Sequence, residues 1–164
     1  MKVNDGYWLI RKGMTALYPV VVHHTSATQG TLTVTTLTRK NENRGAELST
    51  PTITVELSSP APDVIGVKIT HLAGARPRTP SFEIAADPQT AVEIAEDAED
   101  GEQATLTSGA LTARIALGDP WSLTFEADGR ELTGSAGKCM GAVLTDEGEH
   151  LMIERLALGV GQNV

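Results

Sequence analysis

Between Gln103 and Thr133 the chain changes sides at almost every residue. Leu111, Ala113, Ile115 and Leu117 fall on one side of an extended segment, and Thr112, Arg114 and Ala116 fall on the other. That two-residue period is the mark of a half-buried strand. Gly118-Asp119-Pro120 interrupts it, because proline fixes φ and withholds a backbone donor. The alternation restarts with Trp121, Leu123 and Phe125 against Ser122, Thr124 and Glu126. Asp128-Gly129 then supplies two residues that tolerate positive φ, as a type I′ turn requires, and Arg130 to Thr133 leads back. A helix needs apolar residues three and four apart, and this period would spread them around its circumference. The stretch therefore predicts an antiparallel meander.

The same period recurs upstream. After a turn at Asp5-Gly6, Tyr7 to Ile10 reads as a short apolar strand, broken by Arg11-Lys12-Gly13. The β-branched run Val20 to His24 predicts a strand paired across a Gln29-Gly30 turn with Thr31 to Thr38. Arg39 to Gly45 is a charged loop. Pro51 to Ser58 alternates with Ile53, Val55 and Leu57 inward, and Ser59-Pro60-Ala61-Pro62-Asp63 is expected to end it. Val64 to His71 resumes the period, while Gly74 to Pro80, with two prolines and two arginines, suits a surface loop.

Phe82 to Ile84 and Ala91 to Ala95 are short strand candidates; residues 89–99 also carry the alanine and glutamate of a helix, but strand surroundings favour strand. Gly134 to Gly141 is glycine-rich, Ala142-Val143-Leu144 is a further strand candidate, and Leu151 to Leu156 fits a strand or a single helical turn. More than ten short strands without a convincing helix predict an all-β fold, an antiparallel β-sandwich, as one domain over residues 1–164.

Composition narrows the partners. In 164 residues, 40% are hydrophobic, enough for a core. Thirteen basic against twenty-one acidic residues leave a formal charge of −8, which repels a phosphate backbone, and no Lys/Arg cluster offsets it, so nucleic acid is not an expected partner. No apolar run approaches the ~20 residues that cross a bilayer, and the N-terminus lacks the apolar core of a signal peptide, so the expectation is no membrane association and a cytoplasmic location. The single Cys139 can form no internal disulfide and has no second thiol for a zinc site, which suits a reducing compartment.

Candidate chemistry is sparse. His23 and His24, adjacent on a strand, face opposite sides and cannot ligate one ion; one inward and one solvated imidazole is the expectation. His71 and His150 stand near strand ends as surface imidazoles, and a sugar mutarotase would need one of them to converge with a carboxylate, for which Glu154 is the candidate. The acidic run Glu93 to Glu102 lacks the ligand spacing of an EF-hand and reads as a solvated loop. Ser108-Gly109 and Gly159-Val160-Gly161 have no following helix with which to hold a phosphate. Cys139 has Lys138 beside it but reads as a structural cysteine. No catalytic set, metal set or cofactor emerges. Trp121 belongs to the apolar alternation, which leaves Tyr7, Trp8 and Tyr18 as the only aromatic platform for a sugar.

Several segments, taken in order, resemble the N-terminal part of glycoside hydrolase family 31, and within it the bacterial α-xylosidases. They are Asp5-Gly6-Tyr7-Trp8-Leu9-Ile10, Ser58-Ser59-Pro60 with Ile65 to His71, Ser108-Gly109-Ala110-Leu111, Trp121 to Phe125, and Glu154 to Gly161. The resemblance implies a galactose-mutarotase-like sandwich (supersandwich) placed ahead of a (β/α)8 barrel that carries catalysis. It also implies that the retaining carboxylate pair, which such chemistry needs about 5 Å apart, lies in that barrel.

Gln162-Asn163 departs from the glutamate common after that glycine, and the chain stops at Val164 before the family's Tyr-Gly-Leu-Gly-Glu stretch. Thr145-Asp146-Glu147-Gly148-Glu149 mimics the family's nucleophile segment but lies inside the sandwich region, so Asp146 is assigned to a turn. The expectation is a non-catalytic N-terminal domain whose partner is the missing barrel, with a carbohydrate substrate in the full-length enzyme and an apolar patch of several hundred Å2 facing the barrel. The alternatives are a free-standing carbohydrate-binding sandwich and a mutarotase-like enzyme. The oligomeric state is open, and a homo-oligomer is compatible with the sequence.

Overall fold

The computed structural model describes residues 10–28, 30–40, 45, 49–71, 90–97 and 103–157. Among them the chain forms twelve strands: β1 (Met14–Leu17), β2 (Val21–Thr28), β3 (Thr31–Leu37), β4 (Thr52–Ala61), β5 (Val64–His71), β6 (Glu93–Asp97), β7 (Gln103–Ser108), β8 (Leu111–Ala116), β9 (Ser122–Ala127), β10 (Arg130–Ser135), β11 (Met140–Thr145) and β12 (His150–Glu154). They build three antiparallel sheets, ordered β2-β3-β4-β5, β10-β9-β8-β7-β6 and β1-β11-β12. The all-β antiparallel sandwich expected from the sequence is the fold observed.

Two of the sheets face each other through their apolar sides. Leu32 is paired with Leu57 and Val34 with Val55, so those side chains share one face of the first sheet. In the second, Ala104 is opposite Ile115, Leu106 opposite Ala113, and Ile115 opposite Leu123. All are buried and form one cluster, joined by Ile53, Trp121 and, from the third sheet, Met140. At about 1.5–3 kcal/mol for each large side chain taken out of water, this cluster is the main source of cohesion between the layers.

Turn chemistry follows the sequence closely. Asp128 and Gly129 both have positive φ, 52° and 70°, as a type I′ turn between β9 and β10 demands. Gly109 closes the β7-β8 hairpin with φ 59°, and a Cβ there would strike the Asp63 carboxylate. That carboxylate accepts a hydrogen bond from the Ala110 amide at 2.6 Å, tying the β4-β5 turn to the β7-β8 turn.

The structure also departs from the sequence reading. β4 does not stop at Ser58 but continues through Pro60 to Ala61. A register shift between Ser58 and Ala61 absorbs the proline, which cannot donate to a regular ladder, and Ser59 Oγ donates to the Ala61 carbonyl at 2.7 Å. β1 was not anticipated at all. β6 is a strand, as its surroundings suggested, although it begins at Glu93 and includes the start of the acidic run. β12 is a strand rather than a helical turn. The expected strand at residues 7–10, except for Ile10, the loop at 74–80 and the short strand at 82–84 lie outside the described residues.

Candidate functional site

Histidines offered the first route to chemistry. His23 and His24 are both exposed, which corrects the expectation of one inward and one solvated ring. The cause is a register shift between Val22 and His24 against β3: one extra residue on an edge strand removes the strict alternation of faces.

His71 and His150, expected to stand apart, are neighbours. His71 ends β5 and His150 opens β12, and their ring centroids are 5.4 Å apart with planes inclined by 46°. His71 Nδ1 lies 3.0 Å from the Thr52 carbonyl oxygen; in the tautomer with a proton on Nδ1 it donates there. Glu154 does not join them. It lies four residues beyond His150 on the same strand, about 13 Å away at ~3.3 Å per residue, and its register partner is Met140. The histidine–carboxylate convergence that a mutarotase needs is therefore not formed by these residues.

Glu154 has its own environment. Burial raises its carboxyl above the ordinary carboxylate value, outweighing a hydrogen bond with Ser135 that acts in the opposite direction. The residue nevertheless keeps a substantial solvent-facing surface.

A hollow of about 360 Å3 opens where β1 leads into β2, lined among others by Ala16, Tyr18, Pro19, Thr38, Pro120 and Trp121. Trp121 is only 2% exposed, as its place in the apolar alternation predicted. Its indole Nε1 is buried without a hydrogen-bond partner among the described residues. Asp119, on the rim, is ion-paired with Lys40. Burial, and secondarily the nearby Cys139, push the Tyr18 hydroxyl pKa up, so it stays a neutral phenol. Cys139 is buried, and its sulfur accepts from Arg155 Nη2 at 3.5 Å. Of the proposed aromatic platform, Tyr18 is half-buried, and Tyr7 and Trp8 lie outside the described residues.

The remaining charged and hydroxyl groups tie strands together. On the outer side of the second sheet Arg114 spans three strands, donating to both Glu126 carboxylate oxygens at 3.2 Å and to Gln103 Oε1 at 2.7 Å. Between the sheets, buried Ser108 shares a 2.7 Å hydrogen bond with Ser59. Asp146 sits in a turn, as assigned, closed by Gly148 N donating to the Thr145 carbonyl at 2.9 Å. Among the described residues no group of three or more His, Cys, Asp or Glu could hold a metal ion, and no helix is long and apolar enough to cross a membrane.

Against known proteins, no family model matches the chain. The chain is 29% identical over 166 residues to α-xylosidase XylQ of Lactiplantibacillus pentosus, an alignment that covers all of this chain and 21% of that protein. It is likewise 29% identical over 150 residues to an α-xylosidase of Emericella nidulans, covering 87% of this chain and 19% of that enzyme. The chain thus spans about a fifth of the length of the curated relatives it matches. The resemblance drawn from ordered segments of the sequence is borne out from end to end: this chain is a homologue of part of the α-xylosidases.

Proposed function

We propose that this chain is the N-terminal, non-catalytic β-sandwich domain of a cytoplasmic α-xylosidase-like or α-glucosidase-like hydrolase of glycoside hydrolase family 31. The parent enzyme would remove terminal α-linked sugars with retention, in carbohydrate metabolism, using carboxylates supplied by a (β/α)8 barrel. The observation that carries this reading is that all of the chain aligns with about a fifth of an α-xylosidase. The separation of His71 and His150 from Glu154 supports it against a mutarotase-like enzyme. In this reading the sandwich supports the barrel and walls off its active-site side.

The purified chain is expected to release no p-nitrophenol from p-nitrophenyl α-xyloside, whereas the full reading frame that contains it is expected to do so. Turnover by the chain alone at a rate comparable with the full-length protein would overturn the assignment.

A further inference from the structure

We infer that the outer face of the β1-β11-β12 sheet, together with the hollow beside Trp121, is the surface on which the rest of the α-xylosidase-like polypeptide docks. The inference rests on the domain reading above and adds the location of the interface.

Register defines the two faces of this sheet. Met14 is opposite Thr145, Ala16 opposite Val143, Val143 opposite Leu151, and Gly141 opposite Ile153. These residues share one face, and Leu17, Met140, Ala142 and Leu144 share the other with Thr15, His150, Met152 and Glu154, which are exposed at its edges. Met140 is part of the sandwich core, so its face points inward and the Met14–Leu151 face points out. On that outer face the strands carry Met14, Ala16, Leu151 and Ile153 around Val143, which is itself buried, with Thr145 the one polar side chain among the described strand positions.

An antiparallel sheet with one solvated face alternates apolar and polar residues, and one covered on both sides does not. This molecule contains its own control. The outer side of β7-β8-β9 carries Gln103, Thr105, Arg114, Thr124 and Glu126, and that of β3-β4-β5 carries Thr33, Glu56 and Lys68. Among the described strand positions the Met14–Leu151 face of the small sheet carries one polar side chain, Thr145, and the sheet's exposed polar residues, Thr15, His150 and Glu154, lie on its other face. Met14 is 38% and Leu151 48% exposed on the outer face, and Ile10, 37% exposed, precedes the sheet.

The apolar face runs on into the hollow. A Cβ on Gly141 would come 2.9 Å from Tyr18 Cδ1, so the bare glycine lets the tyrosine ring lie across the sheet. Tyr18 and Ala16 both line the hollow with Trp121, whose buried indole donor has no partner among the described residues. A recess whose walls are mostly apolar fits an apolar side chain, the anatomy of an interface anchor. The α-xylosidases related to this chain have about four-fifths of their length outside the matching segment, and that remainder is the occupant inferred here.

The test uses the full-length protein encoded by the reading frame that contains this chain. Met14→Asp and Leu151→Asp are compared with Val64→Asp and Leu132→Asp, which alter exposed residues on β5 and β10. Limited proteolysis between the sandwich and the remainder is expected to accelerate at least tenfold for the first pair and to stay within twofold for the second. Independently of any variant, hydrogen exchange at residues 141–144 and 151–153 is expected to be at least tenfold slower in the full-length protein than in the chain alone.

If the first pair behaves like the second, or if exchange is equal in the two forms, the assignment of the face is wrong even where p-nitrophenyl α-xyloside is still hydrolysed. If exchange slows but the full-length protein hydrolyses no α-glycoside, the docking face stands and the enzyme reading falls. Should light scattering show the isolated chain to be a dimer that Leu151→Asp makes monomeric, the occupant is a second copy and the inference is overturned. A reading frame without further sequence overturns it as well.

Discussion

Replacing Trp121 separates the value of its ring from the cost of its nitrogen. The side chain is 2% exposed within the main core cluster, so Trp121→Ala removes a whole aromatic ring from a packed site, at about 3–5 kcal/mol. For a chain of this size each kcal/mol moves the midpoint by about 2–4 °C, giving a fall of about 6–20 °C. Trp121→Phe is a different experiment. It keeps a six-membered ring and loses two carbons, roughly 1.6 kcal/mol at ~0.8 kcal/mol per buried carbon. It also removes an N–H that is buried without a partner among the described residues, relieving a penalty of about 1–3 kcal/mol. The net lies between about 0.6 kcal/mol of loss and 1.4 kcal/mol of gain, so thermal melts and urea titrations followed by far-ultraviolet circular dichroism should place Trp121→Phe between about 2 °C below and 6 °C above wild type. A loss of 3 kcal/mol or more for Trp121→Phe would refute the reasoning, because the nitrogen would then have an acceptor whose hydrogen bond the phenyl ring cannot replace.

Other expectations concern the core, the titrating carboxyl and the histidines. Leu106→Ala, at a fully buried position between the sheets, should cost about 2–5 kcal/mol, while Val67→Ala on the edge strand β5, 38% exposed, should cost less than half as much by urea titration; equal losses would mean that the layers are not packed where the cluster places them. Because burial raises the Glu154 carboxyl in the folded chain, the folded state holds that proton more tightly than the unfolded one. The resulting stability is fully present below the ordinary carboxylate value and is lost as pH rises through the raised one. Glu154→Gln should therefore melt higher than wild type at pH 7 and lose that advantage by pH 4, with a small amplitude because the residue is well exposed; an advantage that grows on acidification would reverse the sign. Anomer exchange of glucose or xylose, followed by NMR, should run at the buffer rate with wild type and with His71→Ala alike. A wild-type acceleration abolished by His71→Ala would revive the mutarotase reading.

Much of this fold was legible because a single rule, alternation with a period of two, applies wherever one sheet face is buried. Ile53, Val55 and Leu57, or Ala113, Ile115 and Leu123, could be assigned to the core from spacing alone, and Asp128-Gly129 announced its hairpin through backbone chemistry. The rule failed where pairing is irregular or two-sided. Pro60 looked like a terminator because proline breaks a regular ladder, yet a register shift lets the strand pass. His23-His24 looked like one ring in and one out because the shift on β2 has no sequence mark. β1 escaped notice because Met14 and Ala16 alternate with Thr15 and Leu17, so that each side of a four-residue strand carries an apolar residue and the contrast between sides rests on Thr15 alone.

That last failure bears on function. A strand apolar on both sides gives a weak signal to any reading that expects one face in water, and it is also what a segment between two packed bodies looks like. β11 shows the same feature: Met140, Ala142 and Val143 are all buried, although they alternate between the inner and outer faces. The sequence signals that marked chemistry, a histidine here and a carboxylate there, pointed to side chains that the fold keeps apart. The part of the chain least legible as a solvated sandwich is the small third sheet, and the apolar residues on both sides of its central strand β11 make sense once the domain is placed against a larger polypeptide, in line with its alignment to a fifth of an α-xylosidase.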